Sequence, residues 1–244
     1  MNLLVDIGNS RLKWAIANGL SLILETNALL HKEEGWQKCL QARWENLVPP
    51  KKIAIANVAN NNVLKDILTI TQTTWPTAEI TQVQAKSEGW GVINSYLQPE
   101  KLGVDRWLAM LAVRQSICGA ACIVDCGTAI TVDLLDQNGQ HLGGVIAPGL
   151  VLMRQALAQG TAKLEYTPAE YAIGLAKFTE AALYNGTIMA AIGLIKQVMQ
   201  QYADHHMTLI LTGGDALLIA QYLDLDAKID NDLVLQGLAI TMEI

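Results

Sequence analysis

Two six-residue segments of the chain repeat one order of residue types: Val5-Asp6-Ile7-Gly8-Asn9-Ser10 and Val124-Asp125-Cys126-Gly127-Thr128-Ala129. In each, an aspartate ends an apolar run, a glycine follows two positions later, and a small residue with polar character comes close behind. Glycine reaches positive φ and lets backbone N–H groups approach an anion. The carboxylate itself repels an anion, so it suits a cation, or a water on a cation, that bridges to a phosphate. One such segment is an ordinary hairpin turn. Two copies, each between two apolar strands and each opening about half of the chain, point to a pair of phosphate-holding turns. Beyond the first, Arg11 and Lys13 alternate onto one strand face, from which a cation can reach back toward the phosphates.

Other segments carry weaker signals. Thr212-Gly213-Gly214-Asp215-Ala216 follows an apolar strand and opens a helix, where small residues let a ring or a phosphate lie against the backbone. Gly143-Gly144-Val145-Ile146-Ala147-Pro148-Gly149 reads as a loop before a helix, its glycines more often structural than functional. Asp105-Arg106 stands at a helix start. A carboxylate there complements the helix dipole, but a following arginine does not, and the pair can supply a general base beside an anion clamp. His31, His141, His205 and His206 lie in polar stretches without ligand spacing and receive no role. The cysteines at 39, 118, 122 and 126 match no zinc or iron–sulfur pattern and read as small buried hydrophobes.

The elements that must position these residues follow from periodicity. Asn2–Val5, Leu12–Ala17 and Leu20–Leu24 read as a strand meander. Trp36, Cys39, Leu40, Trp44 and Leu47 recur at helical spacing until Pro49-Pro50. Lys52–Val58 is a strand, Val63–Ile70 an amphipathic helix, and Leu102–Ile117 a second helix. Strands at Ala121–Asp125 and Ile130–Leu135 flank the second turn. A helix includes Met153 and Leu157, and a long one runs from Thr179 to Tyr202. Met207–Leu211 is a strand, Ala216–Tyr222 a helix, and Asp230-Asn231-Asp232 cap a last helix ending near Met242. The remaining tryptophans fit apolar helix faces in the core.

Of 244 residues, 51% are apolar and 16% charged, enough for a large core and too few charges for a disordered chain. With 17 Lys+Arg against 23 Asp+Glu the net charge is −6, and no basic run is present. Nucleic acid and anionic membrane are therefore not expected partners. The first residues lack the cationic segment of a signal peptide. The apolar stretch Ala181–Ile195 is shorter than the ~20 residues that span a bilayer. The expectation is a cytoplasmic protein. The repeated turn divides it into residues 1–118 and 119–244, two similar lobes facing a central cleft.

Taken in order, Asp6-Ile7-Gly8-Asn9-Ser10, Gly103-Val104-Asp105-Arg106, Asp125-Cys126-Gly127-Thr128-Ala129, Gly143 to Gly149 and Thr212-Gly213-Gly214-Asp215 resemble the type III pantothenate kinases. These belong to the acetate kinase/sugar kinase/Hsp70/actin superfamily. The resemblance runs from Asp6 to the segment Leu233–Leu238. It implies an α/β fold of two actin-like (ribonuclease H-like) lobes, each a mixed sheet with helices. It also implies phosphorylation of pantothenate by ATP, the first step of coenzyme A synthesis. The family's first phosphate loop falls on Asp6, Ile7, Gly8, Asn9, Ser10, Arg11, Leu12 and Lys13. The rest of the ATP site falls on Gly127, Thr128, Gly213 and Gly214. Asp6 would hold Mg²⁺ through water, and Asp125 a monovalent cation, K⁺ or NH₄⁺. Pantothenate contacts fall on Tyr96, Gly103, Val104, Asp105, Arg106 and Thr179, with Asp105 as the base. A homodimer is implied as well. A related kinase acting on a sugar or carboxylic acid, and an ATP-binding regulator without catalysis, are the competing readings.

Overall fold

Consecutive apolar residues, Leu3, Leu4 and Val5, bury both faces of β1 (Asn2–Ile7), the central strand of the first sheet. The computed structural model describes residues 1–18, 22–161, 164, 168–202 and 207–242. Its contacts group the chain into two units, Met1–Cys118 with Asp232–Ile244, and Gly119–Asn231. In the first, β1 pairs antiparallel with β2 (Arg11–Asn18), which pairs antiparallel with β3 (Leu22–Leu30). On its other side β1 runs parallel to β4 (Lys52–Asn57), and β4 parallel to β5 (Glu79–Gln82). The order is β3-β2-β1-β4-β5.

One face of that sheet buries Leu3, Val5 and Ile7 with Leu12, Trp14 and Ile16. They pack with residues of α1 (Trp36–Glu45) and α2 (Asn61–Thr74) in one core. Trp44 stacks on Trp75 at 5.4 Å and meets Trp14 edge-on at 6.3 Å, so three indoles fill the space between sheet and helices. Asn60 caps α2 by accepting the N–H groups of Asn62 and Val63. A small hairpin of β6 (Glu88–Gly89) and β7 (Val92–Ile93) follows. Trp90 and Gly91 both take positive φ at its tip, the geometry of a two-residue type I′ turn. The helix α3 (Val104–Ser116) comes next, buried continuously from Arg106 to Val113.

The second unit repeats the plan. Its central strand β8 (Ala121–Cys126) pairs antiparallel with β9 (Ala129–Leu135), and β9 with β10 (His141–Pro148). After α4 (Leu150–Gly160) and α5 (Thr179–Tyr202), β11 (Thr208–Thr212) lies parallel to β8. Then α6 (Ala216–Leu223) leads to β12 (Ala227–Ile229), parallel to β11. The order β10-β9-β8-β11-β12 matches that of the first sheet position by position. Cys122, Val124, Cys126, Ile130, Val132 and Leu134 turn one face toward Tyr184, Ile188 and Ile195 of α5 and Ile219 of α6.

Several expectations are corrected. The last helix, α7 (Leu233–Thr241), belongs to the first unit, not to the lobe that precedes it in sequence. Gly237 lies so close to Leu108 of α3 that a Cβ there would strike the Leu108 carbonyl and Cα. Residues 143–148, read as loop, form β10, with an irregularity between His141 and Gly143 where Gly143 takes φ +116°. Cys39 and Cys118 are exposed, and only Cys122 and Cys126 are buried. Among the tryptophans, Trp14 sits on a strand and Trp90 is half-buried at the hairpin tip. His141 is buried, its Nε2 2.9 Å from Asp133 Oδ1. His205 and His206 lie outside the described residues. No helix among the described residues is long and apolar enough to cross a membrane.

Gly237→Ala is expected to cost about 1–3 kcal/mol, because neither backbone can yield without moving its helix. A lower urea midpoint with an unchanged slope would register it. Burial, then the nearby Asp133 charge, pushes the Cys122 thiol up to about 12. Burial, then Asp125 and Asp215, raises Cys126 as well. Both stay protonated at pH 8, where the thiolate is the reactive form. A disulfide reagent at that pH is expected to label Cys39 and Cys118 in the native protein, and the buried pair only after unfolding.

Candidate active site

The first repeated turn joins β1 to β2. Asp6 stands opposite Lys13 in the antiparallel register, and Ile7 opposite Leu12. Ile7 and Leu12 belong to the tryptophan-lined core, so they anchor the turn by their side chains and can offer a ligand only backbone. By alternation Asp6, Arg11 and Lys13 point to the other face of the sheet. The Gly8 N–H donates to the Arg11 carbonyl at 3.0 Å and closes the turn. Asn9 and Arg11 are exposed, and Gly8, Ser10 and Lys13 partly so. Two further side chains, assigned no site role from the sequence, reach this turn from the end of β3. His31 Nε2 donates to the Gly8 carbonyl at 2.7 Å, and Lys32 Nζ donates to Ser10 Oγ at 3.4 Å.

Of the expected pantothenate contacts, Tyr96, Gly103, Val104, Asp105 and Arg106 lie in the same unit, and Thr179 lies in the other. Asn94, buried, donates from Nδ2 to the carbonyls of Lys86 and Pro99 and accepts the Tyr96 N–H at 3.0 Å. This gathers residues 86–99 into a fixed excursion ahead of α3. Arg106, only 6% exposed, donates from Nη1 to the Tyr96 hydroxyl at 2.7 Å and lies 5.6 Å from the centre of its ring. Asp105, half-buried in the first turn of α3, accepts the Arg106 N–H at 2.8 Å. Gly103 caps the helix, and a Cβ there would press on Asp105 Oδ1. Val104 is buried and supports the turn through packing. A carboxylate and a guanidinium thus share one helix start, the guanidinium bonded to Tyr96.

In the second unit, three chain segments converge on the other repeated turn. Asp125, the penultimate residue of β8, lies beside Thr212, its register partner in β11. The Gly127 N–H donates to the Ala129 carbonyl at 3.0 Å, and the Gly149 N–H to the Thr128 carbonyl at 3.0 Å. The Asp215 N–H donates to the Cys126 carbonyl at 2.9 Å. Gly213 takes φ +92°, and a Cβ on it would strike Asp125 Oδ1 and the Cys126 carbonyl. A Cβ on Gly149 would strike the Gly127 and Thr128 carbonyls. Thr128 and Gly214 are exposed beside these contacts. The close approach of Gly149 and Asp215 to this turn was not assigned from the sequence. The traces in the sequence were the Pro148-Gly149 pair ahead of a helix and the Thr212-Gly213-Gly214-Asp215 segment. Thr179 is the first residue of α5, exposed, in this same unit.

The described residues contain no cluster of three or more His, Cys, Asp or Glu that could hold a metal ion.

The profile of the type III pantothenate kinases matches residues 2–201. A type III pantothenate kinase of Nitrosococcus oceani is 40% identical over 249 aligned positions, covering 98% of this chain and 92% of that protein. Among solved structures, a Campylobacter jejuni protein designated a Baf family transcriptional activator superposes with TM-score 0.63 at 25% identity, covering 98% of each chain. The activator of 2-hydroxyisocaproyl-CoA dehydratase from Clostridium difficile, with bound ADPNP, has TM-score 0.54 at 12% identity. It covers 98% of this chain and 92% of that one, and shares the fold alone. Each unit has the mixed five-stranded sheet of the actin-like (ribonuclease H-like) kinases. Matched over most of its length by the family profile and over nearly all of it by a relative at 40% identity, the chain belongs to the type III pantothenate kinase family.

Proposed function

We propose that this enzyme transfers the γ-phosphoryl group of ATP to the 4′-hydroxyl of pantothenate, with Asp105 as general base, in the first step of coenzyme A synthesis. The observation that carries this reading is the arrangement at the start of α3, where Asp105 and the buried, tyrosine-held Arg106 are neighbours. Pantothenate has a carboxylate at one end and a primary alcohol near the other. Arg106, Tyr96 and the Gly103–Val104 backbone bind and orient it, with Thr179 as a further contact. Asp105 accepts the proton of the attacking hydroxyl.

The transition state of phosphoryl transfer is loose, so positioning and charge neutralisation do most of the work. The N–H groups of Asn9, Ser10 and Thr128, the Ser10 and Thr128 hydroxyls, and Arg11 and Lys13 receive the phosphates. Gly213 and Gly214 leave room against the backbone for the nucleoside. Asp6 would hold Mg²⁺ through water and Asp125 a monovalent cation, each lowering the negative charge that the phosphates carry. The protein works in the cytoplasm.

We place the second copy of a homodimer on the outer edge of the second sheet. Leu142, Val145 and Ile146 of β10 and Val151, Leu152 and Leu157 of α4 are exposed apolar residues of these successive elements. An open strand edge of this character is normally covered.

The test is ADP release with pantothenate, with and without K⁺, beside a panel of sugars and short carboxylic acids. Pantothenate-dependent, K⁺-stimulated turnover is expected. Turnover with another acceptor would keep the kinase and discard the substrate, and nucleotide binding without turnover would favour a regulator. Asp105→Asn should lower kcat by about 10²–10⁴-fold, the usual worth of a general base, without shifting the unfolding midpoint. Near-normal turnover would remove Asp105 from the mechanism. Sedimentation equilibrium should give twice the 26.5 kDa chain mass, and Ile146→Glu should shift it toward the single chain.

A further inference from the structure

His31 touches the first phosphate turn from outside the motif. Leu30 pairs with Arg11 in the antiparallel β2–β3 register, so the residue after Leu30 emerges beside the turn. The imidazole is buried, at 8% exposure, with its ring edge-on to Trp36 at 6.1 Å. Its Nε2 lies 2.7 Å from the Gly8 carbonyl oxygen, which can only accept, so Nε2 carries the hydrogen. Both the neutral Nε2–H tautomer and the imidazolium can make this bond. A trans peptide points its C=O and N–H in opposite directions. Holding the Gly8 oxygen on the His31 side therefore turns the Asn9 N–H, in the same peptide unit, away from it. A carbonyl left to rotate would bring its negative end toward a bound phosphate.

We infer that His31 is a positioning residue for nucleotide binding: it pins the Gly8–Asn9 peptide so that the first turn offers N–H and not C=O to the phosphates. Lys32 reinforces the brace, its Nζ donating to Ser10 Oγ on the same turn at 3.4 Å. This inference rests on the kinase reading above. It adds a residue that acts through the turn without touching substrate.

The wild-type protein and its His31→Leu and His31→Gln variants are compared by ADP-release kinetics and by calorimetric titration with a non-hydrolysable ATP analogue. His31→Leu should raise the KM for ATP and the Kd of the analogue about tenfold, the scale of one lost hydrogen bond. It should leave the KM for pantothenate unchanged, and His31→Gln, which keeps an N–H donor, should recover most of the loss. The inference is overturned by nucleotide KM and Kd values at the wild-type level in His31→Leu. A defect shared equally by both substrates, following a lowered Tm and not rescued by Gln, overturns it too. If the wild type binds the analogue but does not phosphorylate pantothenate, the kinase reading falls while the titrations still decide the role of His31. A wild type that binds no nucleotide overturns both.

Discussion

A turn that presents backbone N–H groups to an anion must direct its carbonyl oxygens elsewhere, and the turn carbonyls of both units have partners that do so. In the first, the Gly8 oxygen is taken by His31 and the Arg11 oxygen by the Gly8 N–H. In the second, the Cys126, Thr128 and Ala129 oxygens are taken by N–H groups of Asp215, Gly149 and Gly127. Buried or half-buried carbonyls need such partners in any fold. Here the same bonds set the orientation of peptide units at the two places where phosphate is expected. The glycines follow from this constraint: at positions 149 and 213 the chain leaving β10 or β11 approaches so closely that a side chain would collide with the turn beside it.

The turns also need rigid supports. Each follows the central strand of a five-stranded sheet, and each aspartate lies at the carboxyl end of a strand with a parallel neighbour, β4 in one unit and β11 in the other. Ligands of open α/β sheets gather at such strand ends. In the first unit the Trp14, Trp44 and Trp75 packing fixes the sheet against α1 and α2. In the second the aliphatic face of β8 and β9 packs on α5 and α6. Different side chains thus build the same platform, because what is repeated is strand order and not core composition.

The start of α3 meets a different demand. An arginine in a first helical turn opposes the helix dipole, and burying it adds a desolvation cost. Tyr96 offsets part of this through its hydroxyl and ring. That tyrosine is held in turn by the Asn94 bonds that close residues 86–99. The proposed grip on a substrate carboxylate gives this costly placement a purpose.

The repeated turn, the Asp105-Arg106 pair and the main helices were legible in the amino-acid order, because local physics governs them. Strand–glycine–strand segments form hairpins wherever they occur, and the period of α5 marks its limits without outside help. The order of motifs also carried the family. What local pattern could not supply were contacts between distant parts of the chain. Residues 143–148 look like a glycine-rich loop until β9 offers them a partner, and β5 and β12 are too short to declare themselves. The helix α7 joins the first unit because Gly237 lets it lie against Leu108, far away in sequence. His31 and His141 sit in polar surroundings along the chain, yet the sheets bring one to the Gly8 carbonyl and the other to Asp133. Residue types and their order along the chain were enough to nominate the residues for the chemistry. Which distant groups hold those residues in place emerged with the folded chain, since a hydrogen bond depends on distance in space and sequence separation does not encode it.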